Sequence, residues 1–235
     1  MYRQLANYYD IFFPLKKAEA DFLANFIKKS KKALDLGTGT GNTAFHLESL
    51  GLKVTAVDLS EEMVQHARSK YPAVNFLVND LIYYLKNTEE MYDVVTCFGN
   101  TLAHLTTNQL DTFFKLTSAH LKKKGILFIQ LLNYDFILKN KPNELPKIKM
   151  KNLLLERLYH YIDNKILFET KVILDNNIVH QGETVLYPHL RETIKAILEK
   201  YNFKYEVFGQ FDLSPWSINS THLTIVAKHK IIKTD

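Results

Sequence analysis

The sequence predicts an α/β protein: a mostly parallel seven-stranded sheet with helices on both faces, plus a three-stranded antiparallel meander inserted late in the chain. Short, continuously apolar runs alternate with amphipathic stretches from Ala33 to Leu131, the pattern of strands covered on both faces by crossover helices. Gly37, Gly39 and Gly41 cluster at the first strand-to-helix junction of a chain with only 8 glycines in 235 residues. From Leu153 to Tyr187 the rhythm changes to strand-length runs separated by Asp and Asn, residues that tolerate hairpin-turn geometry.

Ala33 to Leu36 is the first strand, and Thr43 to Leu50 reads as a helix stopped by Gly51. Lys53 to Val57 is a β-branched strand. Ser60 to Lys70 follows as a helix with Ser60 as its cap and Glu61 and Glu62 near the positive end of its dipole. Val74 to Val78, Tyr92 to Thr96 and Gly125 to Leu131 are further strands, with a helix from Asn108 to Leu121 between the last two. Lys139 to Lys151, which holds Pro142 and Pro146, reads as a mobile linker. Leu154 to Tyr161, Lys165 to Leu174 and Ile178 to Leu186 form the meander, turning at Asp163-Asn164 and Asp175-Asn176-Asn177. Leu190 to Tyr201 returns as a helix, and Phe203 to Phe208 with His222 to His229 closes the sheet as an antiparallel pair. The expected division is an α/β domain, residues 1–152 and 188–235, and an inserted β lid, residues 153–187.

Composition narrows the function classes. At 46% hydrophobic and 23% charged, the chain has material for a sizeable core. No run approaches the roughly 18 apolar residues of a membrane span, and Asp10 and Pro14 break any signal-like order at the N-terminus. A single cysteine, Cys97, forbids an intrachain disulfide, fits a reducing, cytoplasmic setting and reads as a buried filler. Nine histidines without paired spacing give no metal site. The net charge of +5 raises nucleic acid as a partner, but only Arg3, Arg68, Arg157 and Arg191 are arginines, and the lysines are dispersed. A lysine-rich solvated surface is the better reading, because arginine is the residue suited to bidentate phosphate and base contacts. Nothing in the composition points to an oligomeric state.

Gly37-Thr38-Gly39-Thr40-Gly41 follows a strand and opens a helix, where the backbone must bend sharply and a ligand can approach without meeting a β-carbon. Asp58 ends the second strand 21 residues after Gly37, placed to accept from ribose hydroxyls. The loop continues Gly41-Asn42 and lacks the Gly-Lys-Ser/Thr of a phosphate-binding loop, which leaves nicotinamide and S-adenosylmethionine as candidate nucleoside cofactors.

Asp35-Leu36-Gly37-Thr38-Gly39-Thr40-Gly41 resembles the first motif of class I S-adenosylmethionine-dependent methyltransferases. Val57-Asp58-Leu59-Ser60 with Met63 resembles the second, and Asn79-Asp80-Leu81 the third. The stretch Cys97-Phe98-Gly99-Asn100-Thr101-Leu102-Ala103-His104-Leu105 is similar to a segment of glycine and glycine/sarcosine N-methyltransferases, as is Asn133 to Leu138. Tyr8-Tyr9-Asp10 and Phe13-Pro14 are similar to the cofactor-covering arm of small-molecule members. The resemblance implies a Rossmann-like fold, S-adenosylmethionine as cofactor and S-adenosylhomocysteine as product. It implies that Asp35 reaches the amino-acid part of the cofactor, Asp58 the ribose, Leu59 or Met63 the adenine face, and Asp80 the adenine amino group. Gly37, Thr38, Gly39, Gly41, Leu81, Phe98, His104 and Tyr9 complete the implied cofactor site.

The chain departs from the family at Leu132, where the arginine that pairs with the glycine carboxylate is missing. A leucine cannot form that bidentate bridge, so the expected acceptor is larger or less anionic than glycine, held by Leu132, Tyr134 and the meander. Arg157 and Arg191 are the arginines that could still reach the pocket through the fold. Methyl transfer is an in-line displacement that needs alignment more than a base. Asn100 and Tyr134 are the expected aligning groups, Tyr187 a weaker one, and no general base is assigned. The expected function is methyl transfer to a small molecule at nitrogen; an RNA or protein methyltransferase and a catalytically silent cofactor-binding module are the alternatives.

Overall fold

A computed structural model describes residues 5–230; Arg3 and Lys233, counted above among the basic residues, lie outside them. Parallel strands β1 (Lys32–Leu36), β2 (Lys53–Asp58), β3 (Asn75–Val78), β4 (Tyr92–Cys97) and β5 (Leu121–Leu132) form the centre of one sheet. β10 (Phe203–Phe208) and β11 (His222–His229) complete it in the order β10-β11-β5-β4-β1-β2-β3, with β11 antiparallel to both of its neighbours. The expected closing pair is therefore present.

Alternation along the central strands explains their unbroken apolar sequence. Leu34, Leu36, Val95, Leu127 and Ile129 face one buried layer, and Ala33, Val94, Ile126 and Phe128 face the other. The first layer is closed by α5 (Leu81–Asn87), α6 (Thr107–His120) and α8 (Arg191–Lys200). The second is closed by α2 (Lys17–Phe26), α3 (Asn42–Ser49) and α4 (Glu61–Lys70). Phe113 and Phe114 of α6 are fully buried, each worth about 1.5–3 kcal/mol against exposure. Caps fix the helix starts: Ser60 Oγ accepts from the Met63 amide at 3.3 Å, and Thr106 with Gln109 forms a reciprocal capping box before α6. α5 and α7 (Tyr134–Asn140) were not separated as helices in the sequence because seven residues give too few turns for a readable period.

Strand order reverses between β1 and β4. The β1 and β4 loops leave the sheet at that point on opposite sides and open a crevice, the place where open α/β sheets bind ligands.

A second sheet has the order β6 (Glu144–Met150), β7 (Leu153–Ile162), β8 (Lys165–Leu174), β9 (Asn177–Leu186). Its last three strands are the expected meander, turned by Asp163, Asp175 and Asn176 in the left-handed region with φ of 51°, 48° and 66°. The expected mobile linker and the three-strand count need correcting, because Glu144–Met150 is a fourth, edge strand paired with β7. Pro146 suggested a break, yet it sits where the β6–β7 register shifts between Leu145 and Ile148. An edge strand at a bulge does not need the amide hydrogen that proline lacks. The Arg157 guanidinium donates to the Pro146 carbonyl at 2.7 Å and the Tyr161 hydroxyl to that of Pro142 at 2.9 Å, tying the segment down.

Candidate active site

The crevice is part of a cleft of about 1100 Å³, walled by the carboxyl ends of β1, β2 and β4, by α1 (Ala6–Phe12) with the start of α2, and by the inserted sheet. That exceeds the roughly 300–1,000 Å³ of a pocket for one drug-sized ligand and leaves room for two reactants.

The glycine loop is hung on β2. The Gly37 and Thr38 amides donate to the Val57 carbonyl at 2.8 and 3.1 Å. Gly37 has φ +72°, and a β-carbon there would lie 2.4 Å from Thr101, so this position is needed for packing. Gly41, at φ +85°, is likewise confined, by Phe76 at 2.7 Å, and lies off the cleft wall as the N-cap of α3. Gly39 differs: a β-carbon there would meet no protein atom within 4 Å, and its direction is open space in the cleft.

Asp58 braces that loop. Its Oδ2 accepts from the Gly39 amide at 2.8 Å and its Oδ1 from the Ser60 amide at 2.9 Å, while burial holds its pKa above the ordinary carboxylate value. Asp35 is 1% exposed; Oδ1 accepts from the Thr96 hydroxyl at 2.7 Å, and Oδ2 is buried without a partner. Burial pushes Asp35 up to about 6 despite its hydroxyl hydrogen bonding, and Asp58 adds to the rise. Glu19, in the first turn of α2, accepts from the Thr43 hydroxyl at 2.6 Å and is pushed up to about 7 by burial, with Asp35 contributing. Tyr9 is pushed up to about 12 by burial and then by Asp58, Asp10 and Glu19. Asp35, Asp58 and Glu19 thus stand together in this half of the cleft, with the cation Lys16 in the same wall.

The covering arm is fastened by Asp10, which accepts from Thr40 Oγ1 at 2.6 Å and Lys70 Nζ at 2.5 Å and meets His66 Nε2 at 3.1 Å. Burial would raise Asp10, but the hydrogen bonds from Lys70, Thr40 and His66 outweigh it and hold the pKa below normal. Of the other residues assigned to the cofactor, Thr38, Leu59, Met63, Asp80, Leu81, Phe98 and His104 all stand in the wall. Asp80 also caps α5, with Oδ1 accepting from the Tyr83 amide at 2.8 Å. Burial lowers the His104 pKa, which favours a neutral ring.

On the acceptor side, Asn100 follows Gly99 in a left-handed turn, with φ of 71° and 69°. Its amide nitrogen donates to the Tyr134 hydroxyl at 2.9 Å, and its side-chain oxygen accepts from the Leu132 amide at 3.1 Å. Asn100 and Leu132 line the cleft; Tyr134, 1% exposed, is part of the core behind them and not of the wall. Tyr187 is also outside the wall, its ring 5.5 Å from the Lys165 ammonium. Asn100 thus stands in the wall, with Tyr134 behind it as its hydrogen-bond partner. Arg191 is turned away over Trp216 at 4.3 Å, whereas Arg157 is in the wall.

Sequence reasoning did not select Glu19, Gln130 or His222. Glu19 looked like an ordinary acid in a first helical turn. Gln130, within an apolar strand, accepts from the Gly99 amide at 3.0 Å and holds the β4 turn. His222 pairs in register with Leu132 across β11 and β5 and is lowered to about 4 by burial, with Lys16 assisting. Only the β5–β11 pairing brings it to the cleft. Among the described residues no three His, Cys, Asp or Glu side chains gather as a metal site.

The fold is the Rossmann-like fold found in solved S-adenosylmethionine-dependent methyltransferases, and residues 33–125 match the methyltransferase domain family. The chain is 31% identical to the glycine/sarcosine N-methyltransferase of Aphanothece halophytica over 132 residues, covering 52% of this chain and 48% of that one. It spans about half the length of the curated relatives it matches. An S-adenosylmethionine-dependent methyltransferase from Clostridium acetobutylicum superposes with TM-score 0.82 at 19% identity, covering 97% of this chain and 98% of that one. The sugar N-methyltransferase KedS8 from Streptoalloteichus superposes with TM-score 0.70 at 18% identity, over 94% and 93% of the two chains.

Proposed function

We propose that this protein transfers a methyl group from S-adenosylmethionine to a small-molecule acceptor, at nitrogen. The observation that carries the reading is the cradle beside Gly39: open space at a left-handed glycine, braced by Asp58, in a wall that also holds Asp35. An acid-lined cradle at a strand-order reversal fits a cationic nucleoside, and the residues present fit this cofactor. When bound, the cofactor supplies an electrophilic methyl on a positive sulfur with a neutral thioether as leaving group. Asp58 would hold the ribose, Asp35 and Glu19 the α-ammonium of the amino-acid part, and Met63 and Asp80 the adenine. Asn100, pinned through Tyr134 and Leu132, fixes the turn against which the acceptor aligns. Leu132, Leu155 and Phe168 exclude water from the acceptor half. The glycine/sarcosine and sugar N-methyltransferases among the similar proteins support nitrogen as the accepting atom.

The test is transfer of labelled methyl from S-adenosylmethionine to panels of small amines, small alcohols, RNA and protein. Labelling of amines is the expected result. Labelling confined to RNA or protein, or cofactor binding without transfer to any panel, would replace the reading.

A further inference from the structure

We propose that Arg157 anchors an oxyanion subsite in the acceptor half of the cleft, so that the methyl acceptor carries a carboxylate or phosphate; this rests on the methyltransferase reading above. Register places Arg157 beside Thr170 of β8, which in turn faces Gly182 of β9. Along that row the inserted sheet presents a guanidinium, then a hydroxyl, then no side chain, and the row shrinks away from the charge. Leu155 and Phe168, in the same wall, make its surroundings apolar.

The guanidinium is underused where it stands. One Nη donates to the Pro146 carbonyl at 2.7 Å, while Nε is sealed from water and has no acceptor. Arg157 forms no ion pair with any described carboxylate, and Glu183, the acid of β9 in the wall, is not bonded to it. The Phe13 ring of the covering arm lies 5.8 Å from its Cζ and helps hold it in place. Two residues along the same face, the Tyr159 hydroxyl is also buried without a partner. Buried polar groups are nearly always paired in folded proteins, so the orphaned Nε of a guanidinium that stands in the cleft wall marks a contact that a ligand completes. Arginine offers only donors, in a planar fork that matches two oxygens of one anion. The cation missing at Leu132 is thus supplied from the inserted sheet, which reverses the expectation of a less anionic acceptor.

The experiment titrates the full chain, with and without S-adenosylhomocysteine, with inorganic phosphate, propionate and the neutral isostere propionamide. The Arg157 Nε–H resonance and the calorimetric affinity are both read. The expected result is a shift of that resonance by phosphate or by propionate and not by propionamide, with about ten- to a hundredfold weaker anion binding in Arg157→Gln. The anion that shifts it identifies whether the acceptor's group is a phosphate or a carboxylate. Should the Gln variant fail to fold, Arg157→Lys keeps the charge without the fork and is expected to lose part of the affinity, and the wild-type resonance stands alone. No shift with either anion, or equal binding in a folded Arg157→Gln, would overturn the subsite. Absence of S-adenosylhomocysteine binding would instead defeat the methyltransferase reading, and the anion titration of the unliganded protein would still decide the subsite.

Discussion

The two walls of the cleft are finished to different degrees. On the glycine-loop side the chain supplies its own partners: Asp58 spends both oxygens on the Gly39 and Ser60 amides, and Asp10 gathers Thr40, His66 and Lys70. On the inserted-sheet side Arg157 Nε in the wall, and the Tyr159 hydroxyl in the core behind it, are buried with nothing to bond. One wall is preorganised by hydrogen bonds within the chain; the other keeps a donor unspent. The exceptions on the glycine-loop side are Asp35, which pairs one oxygen with Thr96 and leaves the other buried without a partner, and the Thr38 hydroxyl, which is likewise unpaired.

The sharpest way to break this comparison is within the loop itself. Gly37→Val drives a side chain into Thr101 at a left-handed backbone position and should cost about 2–5 kcal/mol, read as a lowered urea midpoint. Asp58→Ala removes a charge-assisted acceptor from both loop and ligand, and should weaken cofactor binding about ten- to a hundredfold by titration.

A third prediction uses pH. Burial holds Asp35 at about 6 and Glu19 at about 7, both above their unfolded values, so the folded chain binds these protons more tightly than the unfolded chain. The stability they contribute is complete below about pH 4 and is lost as pH rises through 6 to 7, on the order of 3 kcal/mol for Asp35. Affinity for the sulfonium cofactor should move the other way, climbing from about pH 5 to 8 as these acids ionise, and more steeply than for uncharged-sulfur S-adenosylhomocysteine. Calorimetry in buffers of different ionisation enthalpy should register proton release on binding; pH-independent affinity would count against the acid-lined cradle. The smallest effect belongs to Tyr134→Phe, which deletes the bond to Asn100 and should cost about 1 kcal/mol of stability, with cofactor affinity unchanged.

The same contrast explains what the sequence could reveal. Gly37, Gly39, Asp58 and Ser60 lie within one strand–loop–helix–strand unit, where spacing along the chain is nearly spacing in space. The turns at Asp163 and Asp175 were readable for the same reason. Arg157, Gln130 and His222 reach the cleft only through pairings between distant strands, and no local pattern distinguishes them from ordinary strand residues. Pro146 misled because its effect depends on whether the strand is an edge, a property of the assembled sheet. Tyr134 looked like a wall aromatic, yet its helix packs it into the core, where it acts on the cleft through Asn100.

The central claim is that the open side of Gly39 is where the cofactor lies, and its most direct test is calorimetric titration of S-adenosylmethionine into the wild-type protein and Gly39→Val. A β-carbon there meets no atom beyond its chain neighbours within 4 Å, so the variant should lose about the 1–2 kcal/mol of a left-handed backbone position and stay folded. Saturable one-site binding by the wild type and none by the folded variant is the predicted result. Equal affinity in the two proteins would contradict it.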